Sequence, residues 1–362
     1  MNQVKVEPAI KSLFEELEGH EHEQIIYCYD KPTGLKAIIG LHNTVLGPGI
    51  GGTRMWLYKS EAEALTDVLR LSKAMTYKAS ISGLNAGGGK AVIIADAQAD
   101  KSEALLRRFG QFIHSLGGRY VTAEDVNMST RDMELISKET PYVTGLPEEK
   151  GGSGDPSPVT AYGVYLGIKA ASKKQLGTDN LAEKKIAVQG VGQVGKYLVE
   201  YLVKEGAKIY ISDISNGRLE WAAQRFPVEI VNHEEIYDLD VDVYAPCALG
   251  ATINCQTIPR FNCSIIAGGA NNQLQDEEIH GQMLKDKGIL FAPDFLINAG
   301  GLMNVYAEFQ GNYDREAVYK MTEGIYQKVF DVFNVAEKEN LHPQKAARVI
   351  AVKRIKENQK IN

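Results

Sequence analysis

Residues 186–202 read IAVQGVGQVGKYLVEYL, and this stretch decides the fold of the second half of the chain. The first four residues predict a short buried strand. Gly190, Gly192 and Gly195 follow at once in a GxGxxG pattern, and the apolar spacing of residues 196–202 predicts a helix. The order of strand, glycine turn and helix makes the match more specific than the glycines alone, because such a helix points its positive end at a bound phosphate.

The glycine turn and a later aspartate together predict a dinucleotide site. The first glycine permits the tight turn, the second lets a pyrophosphate approach the backbone, and the third lets the helix pack closely. Asp213 ends the next apolar run, 23 residues after Gly190. A carboxylate there accepts hydrogen bonds from the adenosine ribose and repels a 2′-phosphate, so the sequence favours NAD over NADP. The alternative is an ordinary turn cluster beside a surface aspartate.

Short apolar runs after residue 185 predict the α/β class. Most of them are separated by helix-like stretches, which is typical of a doubly wound, Rossmann-type parallel sheet. The six runs span 186–189, 208–212, 228–231, 241–245, 264–267 and 288–292. From residue 315 to the end of the chain, the apolar spacing predicts a continuous amphipathic helix.

The first 145 residues also alternate predicted strands and helices, here around several glycine clusters. Residues 24–29 and 35–39 predict paired strands joined by a turn, and Ser60 and Ser102 predict helix N-termini. The glycine-rich stretch 47–55 predicts a loop that carries Arg54. This half of the chain is therefore predicted to be a separate α/β domain.

A change in composition separates the two halves. Residues 146–158, LPEEKGGSGDPSP, are the strongest linker signal in the sequence. We therefore expect a substrate and catalytic domain at 1–150 and a Rossmann-type domain at 151–334. Residues 335–362 are expected to form a helix that packs back on the first domain.

Composition excludes several classes of protein. Of the 362 residues, 44% are hydrophobic and 24% are charged, as in an ordinary soluble domain, and the net charge of −6 leaves no basic field for nucleic acid or an anionic membrane. There is no apolar stretch of membrane-spanning length and no secretory signal pattern at the amino terminus. The sequence therefore predicts a cytoplasmic protein without nucleic-acid or membrane partners.

The cysteines and histidines predict no metal site. The four cysteines, which form no CxxC pair, are Cys28, Cys247, Cys255 and Cys263. The seven histidines are scattered and include no HExxH motif. We expect reduced, largely structural thiols and no bound metal.

Charged residues beside glycine clusters are the candidates for chemistry. Lys90 follows Gly87–Gly89 and enters a buried strand, where loss of water disfavours the charged amine and prepares a general base. Lys78 lies near the end of a predicted helix, and Asp125 follows a strand-like segment. Taken singly, a lysine is more often a solvated surface group. The glycine clusters and buried segments beside these lysines are what favour a role in chemistry.

At this point the motifs resemble a known family. GGTRM, MTYK, GGGK, TAEDV, PSPVTAYG, QGVGQVG, APCALG, ANNQL and INAGG occur in that order. In these motifs the chain resembles the glutamate, leucine, phenylalanine and valine dehydrogenases from about residue 21 to the last helix. The resemblance implies NAD-dependent oxidative deamination of an L-amino acid to a 2-oxo acid, with release of ammonium and NADH.

The resemblance also implies roles for individual residues. Lys90 would activate water, Asp125 would transfer protons, Lys78 would bind the substrate carboxylate, and Asn272 would help hold the substrate. The dinucleotide contacts implied are Thr160, Gly190, Val191, Gly192, Gln193, Val194, Gly195, Lys196, Asp213, Ile214, Ala248 and Asn271. The family also implies a homo-oligomer, either an octamer or a dimer.

The side-chain pocket of the family falls on apolar residues of this chain. Leu46, Ala123, Leu302 and Val305 favour an apolar substrate, with a branched-chain amino acid such as leucine first. Leu302 is larger than the valine expected in a leucine-specific pocket, so phenylalanine or tryptophan is the alternative substrate. One methylene changes discrimination by only about 1–3 kcal/mol.

The dinucleotide-binding pattern is also compatible with a function of another class. A dinucleotide-binding regulatory protein could keep this fold and lose turnover, but it would be expected to lack one of the two lysines or the aspartate. Lys78, Lys90 and Asp125 are all present, which favours an enzyme.

Overall fold

The structure, a computed structural model, describes residues 13–311 and 313–359, and the structural statements below concern those residues. Most of the amino-terminal stretch without a secretory signal pattern, and the last three residues of the chain, lie outside them. The chain divides into two compact units. Unit 1 comprises residues 1–76 and 86–143, and unit 2 comprises 77–85 and 144–362.

Unit 1 is built on a six-stranded mixed sheet. Its elements are α1 (Leu13–His20), β1 (Gln24–Asp30), β2 (Leu35–Asn43), β3 (Gly49–Ile50), β4 (Thr53–Trp56), α2 (Glu61–Ile81), β5 (Gly87–Ile94), α3 (Glu103–Ser115), β6 (Tyr120–Val121) and α4 (Thr130–Ser137). The end of α2, from Tyr77 onward, belongs to unit 2. The strand order is β1-β2-β5-β3-β6, and β4 also pairs with β5. Strand β2 is antiparallel to β1 and β5, whereas β3 and β4 run parallel to β5.

Local signals in this half are confirmed. The predicted paired strands form the β1–β2 hairpin, with Ile26 opposite Ile39. The Ser60 side chain accepts from the backbone N–H of Glu63 (3.1 Å), and Ser102 caps α3 through the N–H of Leu105. Both helices therefore begin where a side-chain oxygen satisfies a free backbone donor.

The glycine-rich stretch 47–55 is not the single loop that the sequence predicted, because most of it forms β3 and β4. Strand β5 likewise begins at Gly87 instead of after the glycine run. A Cβ on Gly88 would overlap Thr76 Oγ1 and the backbone of Ser72, and a Cβ on Gly51 would overlap the carbonyl oxygen of Gly89. These glycines therefore let strands and helix α2 approach closely.

Unit 2 contains the second six-stranded sheet, which is entirely parallel. Its elements are α5 (Ser157–Leu176), β7 (Lys185–Gln189), α6 (Gln193–Lys204), β8 (Lys208–Ser212), α7 (Asn216–Ala223), β9 (Val228–Ile230), β10 (Asp240–Pro246), β11 (Asn262–Ile266), α8 (Glu277–Asp286), β12 (Leu290–Phe291), α9 (Asp294–Ile297), α10 (Gly300–Phe309), α11 (Arg315–Lys338) and α12 (Pro343–Gln359). The order β12-β11-β10-β7-β8-β9 confirms the six predicted strands and the Rossmann-type sheet. The order in which successive strands are added reverses between β7 and β10, and ligands bind at this point in such folds.

The predicted carboxy-terminal helix is two helices. The chain leaves the helical path at Asn340, which has a φ of +56°, and α12 starts at Pro343. Helix α12 packs on α8 and α11. It is also fastened to the end of α2, because Ser80 Oγ donates to the carbonyl of Ala351 (2.7 Å) and Arg354 donates to that of Leu84 (2.7 Å).

The predicted linker is held by one carboxylate of α10. Glu308 Oε2 accepts from the backbone N–H groups of Gly145 (2.8 Å) and Ser153 (2.9 Å) and from the Ser153 hydroxyl (2.6 Å). Glu308 Oε1 accepts from the N–H of Leu146 (3.2 Å). This segment is therefore fixed by hydrogen bonds within unit 2. No described helix is both long enough and apolar enough to cross a bilayer.

Candidate active site

Unit 1 brings Lys90 and Asp125 together. Lys90 lies on β5 and is 6% exposed. Asp125 follows β6, where an isolated bridge between Thr53 and Glu124 extends the pairing of the sheet. Lys90 Nζ is 2.6 Å from Asp125 Oδ2. Two predicted catalytic residues, 35 positions apart in the sequence, thus form an ion pair in which the lysine is buried and the aspartate half-buried.

Arg54 extends this ion pair into a chain of charges. Its Nε donates to Asp125 Oδ2 (3.2 Å), and its Nη1 donates to Asp67 Oδ2 (2.9 Å). The Tyr58 hydroxyl donates to the same oxygen of Asp67 (2.7 Å). Asp67 and Tyr58 were not predicted. An aspartate among the apolar residues of α2 is the one signal that pointed to them.

The charges around Asp125 outweigh its burial. Burial acts to raise the pKa of Asp125, but the positive charges of Lys90 and Arg54 hold this pKa below its usual range. The carboxylate is therefore ionised at neutral pH. Burial, and then the neighbouring Asp67, raise the pKa of Tyr58, which keeps its hydroxyl a donor.

Glycines hold the backbone of the Asp125 segment against the sheet. A Cβ on Gly52 would lie 2.9 Å from Asp125 Cβ and would overlap the carbonyl oxygen of Glu124. Ala123 in the same segment is buried, and Leu46, the other predicted pocket residue of this unit, is half-buried. The ion pair is thus placed by close backbone packing as well as by charge.

In unit 2 the glycine turn has room for a ligand. Gly190 has a φ of +97°, as the tight turn requires, and a Cβ on Gly195 would overlap the carbonyl oxygen of Gly190. Gly192 caps α6, and a Cβ there would meet only Arg218 Nη1, at 4.0 Å. The open space at Gly192 is a cradle that a side chain would fill, and it suits the pyrophosphate of a dinucleotide.

Asp213 lies beside this turn and is held by backbone donors. Its Oδ2 accepts from the N–H of Val191 (2.8 Å), and its Oδ1 accepts from the N–H of Ser215 (2.9 Å). Only 4% of its side chain is exposed. Arg218, which was not predicted, places Nη1 3.7 Å from Asp213 Oδ2. The carboxylate at the predicted ribose position therefore also fastens the glycine turn.

The remaining predicted cofactor residues lie near the carboxyl edge of this sheet. The Thr160 hydroxyl donates to the carbonyl of Pro156 (2.9 Å), and a Cβ on Gly301 would lie 2.6 Å from Thr160 Oγ1. Lys196 Nζ donates to Gln193 Oε1 (2.6 Å). The turn residue Val194 is half-buried, and the exposed members of the set are Gln193, Ile214, Ala248 and Asn271.

Two residues that were not predicted hold the segment of Asn272. Asp294 Oδ2 accepts from the N–H of Gln273 (2.9 Å), and Asn298 Nδ2 donates to Asn271 Oδ1 (2.8 Å). Asn272 itself has a φ of +51°, which asparagine tolerates better than most residues. A carboxylate soon after an apolar run, as Asp294 is three residues after the end of β12, was the available signal.

Lys78 acts on the same region of unit 2. It is half-buried in the last turn of α2. Burial raises the pKa of Asp294, and backbone and side-chain hydrogen bonds together with the charge of Lys78 act against that rise. Leu302 and Val305 are buried three positions apart on α10, so they share one face of that helix.

The thiols differ in exposure, and all four are free. Burial raises the pKa values of Cys28, Cys247 and Cys263 to about 12. Cys255 is exposed, with Sγ 3.3 Å from His280 Nε2. Within residues 13–311 and 313–359, no group of three or more His, Cys, Asp or Glu side chains is arranged to hold a metal.

Comparison with known proteins identifies the family. The sequence profile described as "Glu/Leu/Phe/Val dehydrogenase, dimerisation domain" matches residues 22–142, and "Glutamate/Leucine/Phenylalanine/Valine dehydrogenase" matches 151–220 and 220–362. The chain belongs to this family of amino-acid dehydrogenases. It is therefore an oxidoreductase that acts on a CH–NH₂ group with a nicotinamide dinucleotide, which confirms the resemblance seen in the sequence.

Relatives of this chain within the family are named for different amino-acid substrates. A leucine dehydrogenase of Thermoactinomyces intermedius is 51% identical over 95% of this chain and 93% of its own length. A phenylalanine dehydrogenase of Caldalkalibacillus thermarum is 46% identical over 94% of this chain and 93% of its own length. The crystal structure of L-tryptophan dehydrogenase from Nostoc punctiforme matches with a TM-score of 0.84 and 45% identity, over 96% of this chain and all of that chain.

Proposed function

We propose that this dehydrogenase oxidises a branched-chain L-amino acid, leucine first, to its 2-oxo acid with NAD, releasing ammonium and NADH. The observation that carries the proposal is the ion pair between Lys90 and Asp125, with 2.6 Å between Nζ and Oδ2. The 51% identity to a leucine dehydrogenase supports leucine as the first substrate to test.

In this proposal Lys90 and Asp125 move the protons of the reaction. Lys90 takes a proton from the water that attacks the imine carbon, and Asp125 passes protons to and from the departing amine. A proton can pass between the two because Nζ and Oδ2 are in hydrogen-bond contact. Arg54 holds Asp125 in place and keeps it ionised between proton transfers.

Other residues of the chain hold the substrate. Lys78 neutralises the substrate carboxylate, and Asn272 provides an amide that helps fix its orientation. Asp294 and Asn298 position the segment of Asn272 through Gln273 and Asn271. These hydrogen bonds fix the amide before the substrate arrives, which lowers the cost of ordering it.

The dinucleotide is proposed to bind along the carboxyl edge of the unit 2 sheet. Residues 190–195 would hold the pyrophosphate, and Asp213 would accept from the adenosine ribose. Thr160 and Ala248 would supply further contacts to the dinucleotide. When bound, the nicotinamide ring accepts the hydride from the substrate α-carbon. The open cradle at Gly192 supports this placement, and the carboxylate of Asp213 supports NAD over NADP.

The substrate side chain is proposed to contact Leu46, Ala123, Leu302 and Val305, which are all apolar. The size of Leu302 favours a second candidate, oxidation of phenylalanine or tryptophan. Relatives named for these substrates are 46% identical to this chain. Rates of NADH formation, measured at 340 nm over leucine, valine, isoleucine, phenylalanine and tryptophan, decide between the two. A higher kcat/KM for an aromatic substrate would replace leucine in the proposal.

A pair of variants tests the division of substrate contacts. Lys78→Ala should lower kcat/KM for all five amino acids by a similar factor of roughly 10–150, because one charge-assisted contact is worth about 1.5–3 kcal/mol. Leu302→Val should change the order among the substrates with little common loss. If Lys78→Ala reorders the substrates, the carboxylate is held elsewhere.

We also propose that the protein is a homo-oligomer. The description of the profile matched by residues 22–142 as a dimerisation domain supports this. Light scattering of the purified protein distinguishes an octamer from a dimer, and a monomer would contradict the proposal.

A further inference from the structure

The ribose end of the proposed dinucleotide site carries two opposite charges. Asp213 Oδ2 is 3.7 Å from Arg218 Nη1. The carboxylate of Asp213 by itself repels a 2′-phosphate and favours NAD. Arg218 on α7 places a cation at the same position, and a cation attracts that phosphate.

The two charged groups differ in freedom. Both carboxylate oxygens of Asp213 accept backbone hydrogen bonds, from Val191 and Ser215, and only 4% of the side chain is exposed. Arg218 is 58% exposed on a long flexible side chain. A nearby phosphate can therefore draw the guanidinium of Arg218 toward itself. The carboxylate of Asp213 is held in place by its two backbone hydrogen bonds.

The guanidinium also lies beside the glycine turn. A Cβ built on Gly192 would be 4.0 Å from Arg218 Nη1 and would have no nearer neighbour outside its own chain segment. Arg218 thus borders the open space assigned to the phosphates. Its planar donors suit two oxygens of one phosphate group, which a lysine ammonium cannot match.

We propose that Arg218 determines cofactor specificity by binding the 2′-phosphate of NADP, so that Asp213 excludes NADP less strongly than a carboxylate alone would. This inference rests on the proposed dinucleotide site. Asp213 keeps NAD the better cofactor because its charge is fixed close to the ribose. Arg218 offsets part of that charge and leaves a measurable NADP activity.

The test compares wild type with Arg218→Ala, Arg218→Lys and Arg225→Ala. Arg225 is an exposed arginine that follows α7, and its removal changes the net charge equally. For each protein, kcat/KM with leucine is measured for NAD and for NADP. Calorimetry also measures binding of adenosine 2′,5′-bisphosphate and of ADP, which needs no turnover.

Arg218→Ala should weaken adenosine 2′,5′-bisphosphate binding, and NADP use, by about five- to twentyfold relative to ADP and NAD, the low end for a charge-assisted contact because the site is exposed. Arg218→Lys should lose less, and the loss should shrink as salt is added. Equal effects of Arg218→Ala and Arg225→Ala would overturn the proposal.

A second pair of variants tests the offset of charges. Asp213→Asn removes the charge and keeps one of the two oxygen acceptors of the turn, so it should improve NADP use. Adding Arg218→Ala to it should cancel most of that gain. If the gain persists without Arg218, the arginine has no role. If wild type shows no turnover with NAD, the proposed reaction is contradicted instead. The calorimetric comparison would still decide the role of Arg218.

Discussion

Two half-buried aspartates, Asp125 in unit 1 and Asp213 in unit 2, are held by different kinds of partner. Asp125 lies between two cations, at 2.6 Å from Lys90 Nζ and 3.2 Å from Arg54 Nε. Asp213 accepts from two backbone N–H groups at 2.8 and 2.9 Å. The first arrangement controls when a carboxylate gains a proton, and the second controls the shape of a turn.

The glycines beside these carboxylates show the same division. In unit 1, a Cβ on Gly88 or Gly51 would overlap neighbouring backbone, so these positions bring chain segments together. In unit 2, a Cβ on Gly192 would meet only an arginine side chain. Gly192 thus differs from Gly51 and Gly88, and also from Gly195 of its own turn, where an added Cβ would overlap backbone.

The largest effect is expected from removing the lysine beside Asp125. Lys90→Ala should lower kcat by about 10²–10⁴-fold, because the general base is lost. NADH binding, followed by fluorescence, should change little, because that site lies in the other unit. Lys90→Arg is the matched control. It keeps a cation beside Asp125 but cannot give up its proton, so it should be as inactive as the alanine variant. Turnover by Lys90→Arg would reduce Lys90 to a counter-ion.

Alanine substitutions at two glycines separate packing from ligand access. Gly88→Ala should lower the free energy of unfolding by about 1–3 kcal/mol, because the added methyl overlaps Ser72 and Thr76. Gly192→Ala should leave stability nearly unchanged, because its φ of −77° suits alanine and the site is open, but it should weaken NADH binding. Urea unfolding and NADH titration measure the two effects. Equal stability losses would contradict the comparison.

Mild acid should destabilise unit 1 through two buried histidines. Burial lowers the pKa of His22 to about 4 and that of His42 to about 3, and the rings contact Ser72 and Thr76 at 2.8 Å. Below the ordinary pKa of about 6.5 the unfolded chain takes up protons that the folded chain does not. The contribution of the two neutral rings to the free energy of unfolding should therefore be complete above about pH 6.5. It should be lost as the pH falls from about 6.5 to 4, by up to about 1.4 kcal/mol per pH unit for each ring.

His42→Asn checks this expectation. Asparagine can still hydrogen-bond Thr76 but does not titrate, so the variant's free energy of unfolding in urea should fall less steeply between pH 7 and pH 5 than that of wild type. Parallel pH dependences would contradict the lowered pKa of His42, because they would mean that this ring takes up protons equally in the folded and unfolded chain.

The smallest effect concerns the thiols and leaves stability unchanged. Brief treatment with iodoacetamide should modify Cys255 alone, because this thiol is exposed while burial raises the pKa values of Cys28, Cys247 and Cys263 to about 12. Mass spectrometry of the digested protein identifies the modified residue. Cys255→Ser should abolish the fast labelling, and labelling of Cys247 at the same rate would show that the unit 2 sheet opens.

The sequence was most informative for the parallel sheet of unit 2. Strands buried on both faces are continuous apolar runs, as in β7 and β10, whereas the edge strand β9 is largely exposed. Strands β3 and β4 were missed because glycine has little preference for strands, and only pairing with β5 and β6 orders them. The break at residues 339–342 was missed although Asn340 and Pro343 are common helix-ending residues, because the apolar spacing continues across it.

For the candidate site, the sequence predicted residues but few of their partners. The Lys90–Asp125 contact agrees with the roles that the family resemblance implied. Asp67, Asp294 and Arg218 were missed because each acts through a neighbour that only the folded chain supplies. Hydrogen-bond partners of this kind leave no regular spacing in a sequence.

The close packing at Gly88 has a consequence for changing this enzyme by mutation. A side chain that clashes with another side chain can be rescued by a second substitution, but one that clashes with backbone has no such partner. Gly88 meets the backbone of Ser72 and Thr76, and Gly51 meets that of Gly89. The glycines near Lys90 are therefore not expected to tolerate single substitutions. A library aimed at new substrates would gain most by leaving residues 87–89 fixed and varying α10.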